Sequence, residues 1–165
     1  MSAAGAAWRI RQAAPEDRAA LLGLIRELAE YESLTHLVTA TEDSIAATLF
    51  GPDANAEALL AESDGCGVGF ALYFHNVSTF LGRRGLYLED LYVQPAWRGR
   101  GIGKALLRVC ARVAVERGCG RFEWMALDWN VPAIGFYESL GAVQHPEWRL
   151  FRMTGDALAR FGAAE

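Results

Sequence analysis

The sequence predicts a mixed α/β domain built around one central sheet, and three observations carry that expectation. Short apolar segments of strand length are interspersed with longer ones whose apolar residues recur at helical spacing. An almost wholly apolar run, Leu86–Val93, leads through a turn into a glycine- and arginine-rich segment that opens a helix. A composition of 52% hydrophobic and 22% charged residues suits a chain that buries a core rather than a disordered one. The 165 residues are expected to form a single domain over 1–165, with its core at about 8–153.

The elements follow in order. After a loose start, Trp8 to Gln12 alternates like a short strand. Pro15 opens a helix with Glu16 and Asp17 in its first turn, where the helix dipole favours acids. Leu21, Leu24, Ile25 and Leu28 share one face of it, while Arg26, Glu27 and Glu30 lie on the other. Thr41-Glu42-Asp43 starts a second helix that stops by Gly51-Pro52. Strands are expected over Glu57–Ser63 and Gly67–His75, joined by a hairpin turn containing Asp64-Gly65. Residues 76–85 read as a loop before the strand Leu86–Val93. A long helix then runs to about Arg117, stopped by Gly118. Arg121–Leu127 reads as a strand, Val131–Leu140 as a helix ended by Gly141, Trp148–Met153 as a last strand, and the tail as a short helix.

Several function classes are disfavoured at this level. A net charge of −4 argues against general affinity for nucleic acid. Cys66, Cys110 and Cys119 form no CxxC pair and no zinc-ligand spacing, and His36, His75 and His145 are isolated, so no metal is expected. Met1–Ala7 lack the basic and apolar regions of a signal peptide, and no apolar run approaches the roughly 20 residues that span a bilayer. Free thiols and these absences together predict a soluble cytoplasmic protein without membrane partners.

The segment with the most chemical content is Arg98-Gly99-Arg100-Gly101-Ile102-Gly103-Lys104. Glycines let backbone amides approach a phosphate, and a helix N-terminus adds a positive dipole. Its spacing is not that of a P-loop, which would need glycine at position 98 and Ser or Thr at 105, where Arg98 and Ala105 stand. Nor is it a dinucleotide fingerprint, because Lys104 stands where the third glycine would be. What remains is Arg98-x-x-Gly101-x-Gly103 after an apolar strand. From the loop alone, a phosphate cradle and a helix start with solvated basic residues are both compatible.

This spacing resembles the acetyl-CoA loop of the GCN-five-related N-acetyltransferases (GNAT), whose pattern is Q/R-x-x-G-x-G/A at a helix start. Leu86–Val93 resembles that family's central strand, and Asp128-Trp129-Asn130 with Ala133 and Phe136-Tyr137 its second signature. The resemblance is to the diamine and polyamine acetyltransferase branch, on Glu27–Glu32, Tyr87-Leu88-Glu89-Asp90, Asp128-Trp129-Asn130 and Trp148-Arg149-Leu150-Phe151. It implies a GNAT fold: a central mixed, mostly antiparallel sheet flanked by helices. It also implies acetyl-CoA as acetyl donor, held by Leu91, Tyr92 and Val93 on the strand, by Arg98 to Lys104 in the loop, and by Asn130, Ala133 and Phe136.

Amine acetylation has a proton problem. A free alkyl amine has a pKa of about 10.4 and a glutamate about 4.3, so direct proton transfer is uphill by about 8 kcal/mol unless burial moves both. The resemblance makes Glu89 the general base and Tyr137 the general acid for the departing thiolate. Asp90 points to the other face if the strand alternates regularly, and orients substrate or pairs with an arginine. No nucleophile motif is present, so direct transfer is expected.

The acceptor implied by the resemblance is a small cationic amine held by Tyr31, Glu32, Asp90 and Trp148. Ser78 and Phe80 stand where the polyamine enzymes have aspartate and tryptophan, and Pro146 where an acid precedes the tryptophan. These departures favour a shorter substrate, such as thialysine, lysine or a diamine, over long polyamines. A protein lysine or N-terminal acetyltransferase and a non-catalytic acyl-CoA sensor are the alternatives. A homodimer is expected by resemblance alone.

Overall fold

The structure, a computed structural model, describes residues 7–163, so the expectation for Met1–Ala7 lies, but for Ala7, outside the described residues. The described chain falls into two compact units, one ending at Met125 and one beginning at Ala126.

The first unit holds β1 (Arg9–Gln12), α1 (Arg18–Tyr31), α2 (Glu42–Phe50), β2 (Glu57–Ser63), β3 (Cys66–Ser78), β4 (Arg83–Val93), α3 (Ile102–Glu116) and β5 (Phe122–Trp124). The five strands form one sheet in sequence order; the first three pairings are antiparallel and β4–β5 is parallel. The β2–β3 turn forms as expected, because Asp64 (φ 49°) and Gly65 (φ 78°) both take the left-handed conformation that a tight hairpin needs.

One expectation shifts in this sheet. The loop at 76–85 shrinks to residues 79–82, because β3 runs on to Ser78 and β4 starts at Arg83. Asn76 pairs with Gly85 across these strands and donates Nδ2–H to Glu123 Oε1 at 2.7 Å, so its polarity marks a sheet contact and not a loop. A side chain at Gly85 would put a Cβ 2.3 Å from Asn76 Oδ1, which explains the glycine there.

Helices α1 and α2 cover one face of the sheet. Leu21, Leu22, Leu24, Ile45 and Leu49 pack on Ala58, Leu60, Phe70, Leu72 and Tyr92. Helix α3 buries Ile102, Leu106, Leu107, Cys110 and Ala114 and contacts β2, β3 and β4. Full burial of such a side chain contributes about 1.5–3 kcal/mol. Ionic clasps tie the edges. Arg11 holds Asp17 through two hydrogen bonds (2.6 and 2.8 Å) and Glu62 through a third (2.7 Å). Arg117, just past α3, makes a two-pronged pair with Glu57 on β2.

The second unit holds α4 (Val131–Ser139) and α5 (Gly155–Ala163). Asn130 caps α4, its Oδ1 accepting from Ala133 N–H at 3.4 Å, and Gly141 (φ 93°) follows the helix end. The strand expected at Trp148–Met153 is absent: residues 148–153 are exposed and irregular. A strand exists only with a neighbour to bond, and no described strand pairs with this segment. None of the unit's described residues is buried. Among the described residues no helix is long and apolar enough to cross a membrane, and no cluster of His, Cys, Asp or Glu is arranged to hold a metal.

Candidate active site

The site is organised by a fault in the β3–β4 ladder. Leu72 pairs with Asp90 but Tyr73 pairs with Leu88, so Glu89 is an extra residue. Such a bulge breaks the alternation of the strand that carries it. Before it, Leu86 and Leu88 register with His75 and Tyr73; after it, Asp90 and Tyr92 register with Leu72 and Phe70. Leu72, Phe70 and Tyr92 belong to the core beneath α1 and α2. The bulge thus switches the strand's phase and brings Asp90 to the α1–α2 face. This corrects the expectation that Glu89 and Asp90 simply alternate across a regular strand.

Asp90 is partly buried, while Glu89 is exposed. Burial, then the charge of Glu89, then that of Glu32 push the Asp90 carboxyl from 3.8 up to about 7. Glu32 caps the C-terminal end of α1, and burial raises its carboxyl too. Two other acids singled out in the sequence thus bear on Asp90. Glu27, also on α1, is committed elsewhere: its Oε1 accepts from Gln94 Nε2–H (2.9 Å) and its Oε2 from Tyr92 O–H (3.2 Å). It fastens α1 to the end of β4.

Beside the bulge, β4 is open. The parallel pairing with β5 covers only Leu86–Leu88, so from Glu89 to Val93 the edge away from β3 has no strand partner among the described residues. The backbones of Leu91, Tyr92 and Val93 can therefore accept an extended ligand as an added strand. The Tyr92 side chain cannot take part, since it is buried and its hydroxyl is bonded to Glu27.

The loop beyond is a chain of amides. Arg98 N–H bonds Pro95 O and Ala105 N–H bonds Gly101 O, but the amides from Gly99 to Lys104 make no hydrogen bond to another backbone group among the described residues. Gly99 (φ 74°) and Gly101 (φ 80°) take the left-handed conformation that glycine adopts without strain, and a Cβ on either would meet nothing within 4 Å. Ile102 supplies only its amide, because its side chain is in the core. Arg98 is held against the protein: Nε donates to Val93 O at 2.9 Å and the guanidinium lies 4.7 Å from the Tyr31 ring centre. Arg100 stacks on Trp97 at 4.6 Å, and Lys104 is exposed. An open strand edge running into unclaimed amides at a helix N-terminus fits a pantetheine arm followed by a pyrophosphate.

The Acetyltransferase (GNAT) family model matches residues 20–142. The chain belongs to this family. The enzyme is 36% identical to L-ornithine N5-acetyltransferase NATA1 of Arabidopsis thaliana, across 91% of its own length and 86% of that protein. It is 40% identical to thialysine N-epsilon-acetyltransferase of Sus scrofa, over 90% of its own length and 94% of that protein. A solved structure, the V. cholerae integron cassette protein VCH_CASS6, superposes with a TM-score of 0.81 at 27% identity, covering 97% of this chain and 100% of that one. The protein is thus an N-acetyltransferase with the GNAT fold, and its family uses acetyl-CoA as donor.

The remaining residues that the sequence pointed to lie in the second unit. Ala133, Phe136 and Tyr137 are on α4 behind the Asn130 cap, with the Phe136 and Tyr137 rings 5.5 Å apart. Trp148 lies in the irregular segment and is 76% exposed. What the sequence reading missed is the bulge, and with it the coupling of Asp90 to both Glu89 and Glu32. The adjacent acids Glu89-Asp90 within an apolar strand were its only trace.

Proposed function

We propose that this enzyme acetylates a primary amine of a small cationic metabolite, a diamine or an amino acid with a side-chain amine, by direct transfer from acetyl-CoA. The observation that carries this is the group Glu32, Glu89 and Asp90 at the bulge, beside an open strand edge that ends in unclaimed loop amides. A cationic amine needs acids at its reacting end, and relatives named for L-ornithine and thialysine support an acceptor of this size.

Bound acetyl-CoA supplies an activated acyl carbon and a thiolate leaving group. Asp90 and Glu32 hold the incoming ammonium, and Glu89 accepts its proton, directly or through a water. Burial of Asp90, aided by the charges of Glu89 and Glu32, lets the site hold a proton near neutrality. Asp90, at about 7, lies roughly three units below an amine at about 10.4, so it can share the proton that Glu89 first accepts. Tyr137 gives a proton or hydrogen bond to the departing sulfur, and Asn130 binds the pantetheine amide. Tyr31, at the end of α1, is a further acceptor contact, and the family resemblance adds Trp148.

We propose further that the protein is a cytoplasmic homodimer. The exposed Trp148, Leu150, Phe151 and Met153 in a unit without buried residues support a second copy as their cover.

The test is thiol release from acetyl-CoA with L-ornithine, thialysine, lysine, putrescine, spermidine and a lysine peptide. Turnover on a small amine, slowed at least about 100-fold by Glu89→Gln and by Tyr137→Phe, is the expected result. Turnover of the peptide alone would overturn the reading.

A further inference from the structure

Arg98 opens the donor loop, yet its side chain is engaged on the other side of the site. The turn Pro95–Trp97 folds the chain back on β4, closed by Trp97 N–H to Gln94 O at 2.8 Å and by Arg98 N–H to Pro95 O at 3.2 Å. Residue 98 thereby comes beside residue 93, and Arg98 Nε–H donates to Val93 O at 2.9 Å. The guanidinium also meets two rings, 4.7 Å from the centre of Tyr31 and 5.6 Å from that of Tyr92.

Glu27 and Tyr31 are one turn apart on α1 and so share a face. Both reach the end of β4: Glu27 bonds Tyr92 and Gln94, and Tyr31 stacks on Arg98. The C-terminal part of α1 is therefore tied to β4 twice, and the later tie passes through Arg98. The last buried residue of α1 is Ala29, and Tyr31 is 40% exposed, so the core does little to fix the final turn. Glu32, whose charge bears on Asp90, follows directly. Arginine suits this place because its planar group can stack on a ring while Nε–H bonds a carbonyl; the ammonium of lysine has no such plane.

We infer that Arg98 is a positioning residue for the acceptor side: its side chain holds the last turn of α1, and with it Tyr31 and Glu32, against the end of β4. The donor's phosphates then fall to the loop amides rather than to this guanidinium, which departs from the cofactor contact that the family resemblance implies for it. The inference rests on the reading of Tyr31 and Glu32 as acceptor contacts.

The experiment uses Arg98→Lys, which keeps the charge and removes the planar fork. Arg98 is exposed, so the core is left intact. Without ligands, amides of residues 28–34 should exchange hydrogen about threefold faster in the variant, the scale of a lost cation–ring contact at an exposed site, while those of α2 are unchanged. In steady state, KM for L-ornithine or thialysine should rise about fivefold, with the acetyl-CoA Kd from calorimetry within about twofold of wild type. Tyr31→Leu should also raise the amine KM, and the double variant no further, since the arginine acts through the ring. Weakened acetyl-CoA binding with amine KM and exchange unchanged makes Arg98 a phosphate ligand and overturns the inference, as do additive effects of the two substitutions. A wild-type enzyme that turns over no amine overturns the small-amine reading instead. Hydrogen exchange then decides on the tie alone, and unchanged exchange at residues 28–34 overturns it.

Discussion

Asp90 should make the folded enzyme less stable as pH rises, and replacing it with asparagine should remove that cost. Its carboxyl has a reference value of 3.8 and sits at about 7 in the fold, because burial, Glu89 and Glu32 all oppose its charge. A raised carboxyl is penalised only when ionised. Below 3.8 it is protonated in both states and costs nothing. Between 3.8 and about 7 the unfolded chain releases the proton and the folded one keeps it, so stability falls with rising pH. Above about 7 the penalty is constant.

Over pH 5 to 8 this amounts to about 2–3 kcal/mol, from roughly 1.4 kcal/mol per unit of pKa difference. Asparagine resembles the protonated acid and never ionises. Asp90→Asn should therefore gain on wild type steadily from pH 5 to 8, by about 5–10 °C in Tm for a chain of this size. Thermal melts at four pH values measure it. A Tm difference that stays flat with pH, or a variant that loses ground as pH rises, refutes the assignment of Asp90 as the strained carboxyl. The same variant should lose activity at every pH, so the residue that costs stability is one the reaction needs.

Three other outcomes follow from the same geometry. Glu32→Gln removes one like charge from Asp90, so the acidic limb of kcat/KM should move to lower pH, read from a pH–rate profile. Gly101→Ala forces a side chain onto φ 80° at the start of α3; it should cost about 1–2 kcal/mol in urea unfolding and weaken acetyl-CoA binding by calorimetry. Arg11→Leu strips Asp17 of its guanidinium and leaves Glu62 with Arg9 alone, so the fold should lose stability, measured as a lower midpoint of urea unfolding at pH 7.

Much of the fold is legible because local signals and burial agree. The Asp64-Gly65 turn, the Thr41 cap with its Ser44 partner, and Gly101 and Gly118 at the ends of α3 each have one conformational use, and each serves it. The reading goes astray where a residue's meaning depends on a neighbour distant in sequence. Asn76 looks like loop until Gly85 and Glu123 sit beside it. Trp148–Met153 has the composition of a strand, yet composition supplies no partner for its backbone. Glu27 looks like one more solvated acid on a helix face, and its bonds to Tyr92 and Gln94 cross from α1 to β4.

The bulge is the deepest of these cases, because it defeats the rule by which a strand is read. Period-two alternation assigns Leu86, Leu88, Asp90 and Tyr92 to one face, and an aspartate among three large apolar residues then looks like an error needing an arginine partner. One inserted residue splits the set: Leu86 and Leu88 go to one layer, Asp90 and Tyr92 to the other. Asp90 then needs no arginine; it lies instead with Glu89 and Glu32, an arrangement with no stabilising purpose. A fold keeps such a group of like charges against its own stability only where something cationic relieves it. The same inserted residue marks where β5 ceases to pair with β4 and leaves the edge open. One irregularity in one strand thus brings together a group of acids that can seat an amine and an unpaired backbone edge that can take its acyl donor. The proximity of those two features is the physical argument for acetyl transfer at this point of the sheet.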